Sequence, residues 1–131
     1  MSIPKGILEW AVYCHLHDYK DTQMILLKGH LLIEEVLTSI VGNDDLSFYA
    51  KIGRFKASSN SQFLVNSLVR LNRLRNKLAH EWRFESESAE VQEWADSVLK
   101  NIPYMMDFRR TKRTRVIHAI AALAGAVLEQ G

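Results

Sequence analysis

Nowhere in this chain do apolar and polar residues alternate long enough to line one face of a strand; the apolar residues recur every three to four positions instead. That period confines the fold to helices whose apolar stripes meet in a common core. Only two prolines occur, Pro4 and Pro103, and both stand where a helix can start or stop. The expected helices cover roughly 4–17, 21–41 and 46–56, then a stretch from a cap at Ser59 to about His80, then 88–102 and 104–129. Gly42 is the expected C-terminal cap of the second. Ser59 with Gln62 has capping-box spacing, and Ser88 is a candidate N-cap with Glu90 in the first turn behind it. The segment MILLKGHLLIEEVLTSIV, 24–41, is apolar on nearly all sides and is therefore predicted to be the central, most buried helix. These features predict an all-α fold, a single-domain bundle of five to six helices over residues 1–131.

A chain of 131 residues suits one core. Its 47% hydrophobic and 24% charged residues describe a folded, soluble protein rather than a disordered one, and a net charge of +2 is too small to imply a partner. Cys14 is the single cysteine, so no intrachain disulfide can form, which fits a reducing cytoplasm. The opening MSIPKGILEW does not read as a signal peptide, because Glu9 interrupts the apolar stretch and no small-residue cleavage site follows. The longest apolar run, 116–128, contains His118 and falls short of the ~20 residues a membrane span requires. A cytoplasmic chain without membrane contact is expected, with no low-complexity segment and no internal repeat.

The stretch LNRLRNKLAHEW, 71–82, carries the main anomaly. At about 100° per residue, Leu64, Leu68, Leu71, Leu74 and Leu78 form one stripe, and Arg75 projects within it. A second face carries Val65, Val69, Asn72, Asn76 and His80, apolar at one end and polar at the other; it suggests contact with another helix, in this chain or in a partner. Arg73 and Lys77 point towards solvent. A buried guanidinium needs compensation, and Glu34 and Glu35 are the only acidic residues in the apolar stretch of the second helix. A structural ion pair from Arg75 to one of them is therefore one reading. For His80 the corresponding reading is a last-turn residue that favours the helix macrodipole when protonated.

Taken together, Arg75, Asn76 and His80 in RNKLAH, near the end of a long helix of a small all-helical domain, resemble the HEPN superfamily, whose hallmark is R-x(4–6)-H with a polar residue after the arginine. KGHLLIEEVLTSIV looks like the helix that precedes that motif, so the resemblance covers roughly 21–82; its nearest flavour is the mannitol-repressor-like group. The resemblance implies an HEPN-like homodimer and a metal-independent endoribonuclease, of toxin or defence type, with RNA as substrate, no cofactor and no metal. The chemistry suits the residues. Arginine offers a permanent charge and a planar fork to phosphate. Histidine exchanges a proton near neutral pH. Cleavage of RNA by its own 2′-hydroxyl needs a base, an acid and a cation. Positions i and i+5 lie about 140° apart on a helix, so one Arg75 and its own His80 do not readily face one substrate. The resemblance implies a composite cleft in which two protomers pool their motifs and two copies of His80 serve as base and acid. Asn76, one turn before His80, could orient the imidazole or contact the phosphate. The reading from a different class is a non-catalytic HEPN-like regulator or adaptor that binds nucleic acid or a protein. Either reading leaves room for an antitoxin or regulatory protein partner.

Three other features bear on function. Cys14, His15 and His17 invite a zinc reading, but no second ligand pair has matching spacing and the segment reads as helix. RRTKRTR, 109–115, packs five basic residues into seven; Arg109, Arg110, Lys112 and Arg113 join Arg73 and Lys77 as candidate substrate contacts, or equally form a solvated surface. Trp10, Trp82 and Trp94 are expected in the core, with base stacking the alternative for Trp82.

Overall fold

The computed structural model describes residues 4–42, 45–58, 61–80, 88–104 and 111–130. These residues form six helices and no strand: α1 (Lys5–His17), α2 (Thr22–Val41), α3 (Phe48–Ser58), α4 (Gln62–His80), α5 (Ser88–Asn101) and α6 (Lys112–Gln130). The fold is a small all-α bundle, as the periodicity predicts. No helix among the described residues is long and apolar enough to cross a membrane.

Local chemistry sets the helix ends. The Asp21 carboxylate accepts from the Gln23 N–H at 2.9 Å, and Gly42 closes α2 in the left-handed region at φ 79°, donating its N–H to the Thr38 carbonyl. Ser47 caps α3 through the Ala50 N–H. Ser61 caps α4 through the Leu64 N–H at 3.3 Å. The cap expected from Ser59 lies outside the described residues; because α4 begins at Gln62, Ser61 stands where a hydroxyl reaches the third helical N–H. Thr111 and Thr114 cap α6 reciprocally, each hydroxyl accepting from the other's backbone N–H.

The central helix is α6, not α2. Every residue from Val116 to Val127 is buried, and α1, α2 and α5 all pack on it. The expectation placed α2 there because its side chains are large and apolar, yet Met24, Leu31 and Glu35 on α2 are exposed. Small side chains decide the matter. Alanines and Gly125 let three helices approach the α6 backbone at once, whereas a bulky helix fills space on one side. The α2 approach is equally close: a Cβ added at Gly29 would collide with the buried Ile120 side chain. His118 is accommodated inside α6 with its Nδ1 2.6 Å from the Tyr104 hydroxyl and its ring stacked on Tyr13. Trp94 is fully buried as expected, but Trp10 is 54% exposed, and Trp82 lies outside the described residues.

Glu9 on α1 faces the gap left by Gly125, where an added Cβ would lie 2.8 Å from its Oε2. It is buried, with Lys5 Nζ 3.7 Å away. Loss of hydration pushes its carboxyl above the usual 4.5, and the Lys5 charge opposes this only in part. A carboxyl that holds its proton more tightly when folded supports stability fully below the unfolded value, and that support is lost as pH rises through the folded one. Glu9→Gln should therefore melt higher than wild type at about pH 7. The difference should shrink towards about pH 4, and thermal melts across that range check it. A pH-independent difference would contradict the assignment.

Candidate functional site

On α4, Leu64, Leu68, Leu71 and Leu74 are buried, so the leucine stripe is the core face. The second face divides as its composition suggests. Val65 is buried and Val69 half-buried against the core, and α2 and α3 both pack on α4 within the chain. Its apolar end is thus satisfied internally. Asn76 and His80, further along, are exposed.

Arg75 is half-buried and lines a cavity of about 380 Å³ between α2, the start of α3 and α4. Asn76, Asn72, His30, Glu34 and Tyr49 line it too. The ion pair expected from Arg75 to Glu34 or Glu35 is not formed. Glu34 instead accepts from Lys51 Nζ at 3.2 Å, and Glu35 is exposed on another side of α2. Lys51, from α3, is itself buried, so it needs the carboxylate more than a half-exposed guanidinium does. Among the described residues the one hydrogen bond of Arg75 is to the neighbouring Asn76 Oδ1, at a long 3.5 Å. Most of its donor fork is therefore open to a ligand.

His30 completes the cavity and was not singled out from sequence. It is 5% exposed, its Nε2 is 3.2 Å from Asn72 Oδ1, and its ring stacks on Phe48 with centroids 4.1 Å apart. Burial lowers its pKa below the usual 6.5; the Asn72 hydrogen bond opposes that, the Arg75 charge adds to it and Glu34 opposes it. The ring is thus held neutral near physiological pH. The signal in sequence was a lone histidine in the apolar run of α2; its partners Asn72 and Phe48 come from two other helices.

The other predicted site residues lie elsewhere. His80 is exposed at the end of α4, one turn beyond Asn76, or roughly 6 Å along the axis. Lys77 pairs with Glu90 of α5 at 2.8 Å. Arg113 donates to the carbonyls of His17 and Tyr19, closing the end of α1, and Arg115 binds Asp96 and Gln92. The basic stretch is therefore partly structural. Arg73 and Lys112 are exposed, while Arg109, Arg110 and Trp82 lie outside the described residues. The structure brings together Arg75 and Asn76 with His30, and leaves His80 outside that cavity, exposed at the end of α4. No group of three or more His, Cys, Asp or Glu residues that could hold a metal ion occurs among the described residues, around Cys14, His15 and His17 or elsewhere. Comparison with protein-family models, with curated proteins and with solved structures returns no match, so the geometry alone carries the reading of the site.

Proposed function

We propose that this chain is a metal-independent endoribonuclease of HEPN type, acting as a homodimer. The observation that supports this most is the state of Arg75: a half-buried guanidinium on a polar cavity, with the nearby carboxylate already committed to Lys51. An arginine left with open donors is suited to a phosphate. His80 is exposed beyond Asn76 and does not belong to the core, which supports a role towards a substrate or a second copy. In this reading Arg75 holds the phosphate charge, His80 moves a proton and Asn76 orients the phosphate or the imidazole. A toxin or defence role, with an antitoxin or regulatory partner, belongs to the same proposal.

The second reading is a non-catalytic regulator or adaptor that binds nucleic acid or a protein. It is favoured by the basic side chains Lys77, Arg113 and Arg115, which are engaged within the fold rather than offered to RNA. One assay separates the two. Purified wild type and His80→Ala are incubated with a mixed RNA pool in the presence of EDTA. The ribonuclease reading expects wild type to leave 2′,3′-cyclic phosphate or 3′-phosphate ends and His80→Ala to leave none, while DNA, lacking the 2′-hydroxyl, is untouched. Equal residual cleavage by both proteins would put the regulator ahead. Light scattering showing only monomer at micromolar concentration would remove the composite site.

A further inference from the structure

We propose that His30 is a catalytic base in the Arg75 cavity: it takes the proton from the 2′-hydroxyl of an RNA whose phosphate lies on Arg75. The proposal rests on the ribonuclease reading above and adds a residue that the motif in α4 does not contain.

Three observations lead to it. His30 and Arg75 come from different helices yet line one cavity of about 380 Å³, enough space for a nucleotide-sized group. The imidazole is fixed from two sides, by Phe48 against its face and by Asn72 at Nε2. When Nε2–H donates to Asn72 Oδ1, Nδ1 carries the lone pair. This is the arrangement in which a neighbouring acceptor sets the tautomer of a histidine base, with Asn72 as positioning residue. Finally, charged groups of both signs lie near the ring. Arg75 of α4 disfavours its protonation and Glu34 of α2 favours it, while Lys51 of α3 holds Glu34. Burial, the largest influence, keeps the ring in the neutral form that accepts a proton.

The reaction balances without another reactant. The 2′-oxygen loses its proton to His30 and bonds to phosphorus. The bond from phosphorus to the 5′-oxygen breaks, and that oxygen takes a proton from a protonated His80. The products are a 2′,3′-cyclic phosphate and a 5′-hydroxyl; water returns each histidine to its starting state. His80 of the same chain stands eight residues beyond Asn72, roughly 12 Å along α4. His80 does not line the cavity that holds His30, so in this proposal the acid comes from a second copy.

The test uses the full chain with two substitutions and two substrates. Asn72→Asp sets a carboxylate beside Nε2 and holds the imidazole protonated to higher pH. The rising limb of the rate–pH profile should then move up by about one unit, whereas a merely structural His30 would leave it in place. His30→Gln should cut cleavage by about 10²–10⁴-fold. An RNA with a sulfur leaving atom at the 5′ position needs no acid. It should restore cleavage to His80→Ala but not to His30→Gln. An unmoved limb in Asn72→Asp, or cleavage by folded His30→Gln within about threefold of wild type, would overturn the role of His30. Should His30→Gln not fold, the Asn72→Asp limb decides alone. Wild type that cleaves neither RNA overturns the ribonuclease reading itself and this role with it.

Discussion

Arg75→Ala is expected to melt within about 4 °C of wild type and to cleave RNA roughly 10²–10³-fold more slowly. The argument turns on where the nearby negative charge goes. Had Arg75 been the partner of Glu34, truncating it would strand a carboxylate, a change that costs about 3–5 kcal/mol when the group is buried. Glu34 is instead bound to Lys51, and Glu35 is exposed, so Arg75→Ala strands nothing. What it removes is a cation facing an open cavity. Glu34→Ala supplies the contrast. It leaves the buried Lys51 ammonium without its carboxylate and should cost about 3 kcal/mol, the low end of that range because Glu34 is partly wet. Thermal melts of both variants, read beside cleavage rates, check the assignment. A large loss of stability in Arg75→Ala with cleavage unchanged would return the residue to a structural role.

Trp94→Ala should cost about 3–5 kcal/mol, a large part of the net stability of a domain this size. The indole is fully buried in α5, and its Nε1–H donates to the Ser67 carbonyl of α4 at 3.0 Å. The hydrogen bond is the smaller component, since a carbonyl within a helix retains a second acceptor site for its in-helix donor. The cavity dominates. The surrounding core, including the α4 face on which the indole packs, is held by helices and cannot collapse into the space of a removed indole. Urea unfolding should show the midpoint falling with an unchanged slope. A loss below about 1 kcal/mol would mean that the site repacks.

The sequence by itself determined most of the helices, although α6 begins at Lys112 rather than near Tyr104, where the expected last helix started. Hydrophobic period, the two prolines and the capping residues are local signals, and they located α1, α2 and α4 to within a residue or two. It also marked Arg75 as an unusual residue in an apolar stripe, because position on a helix follows from spacing alone. It did not determine which helix lies at the centre. Residue size across several contacts decides that, and the alanine-rich α6 displaced the more hydrophobic α2. Nor did it determine ion-pair partners. Glu34, Lys51 and Arg75 come together only after α2, α3 and α4 have packed, and Glu34 pairs with Lys51, the more deeply buried cation, because an unpaired charge costs most where water is absent. The cavity is of the same kind. His30, Asn72 and Arg75 are separated by up to 45 positions in sequence, and the packing of α2 and α3 on α4 alone makes them neighbours.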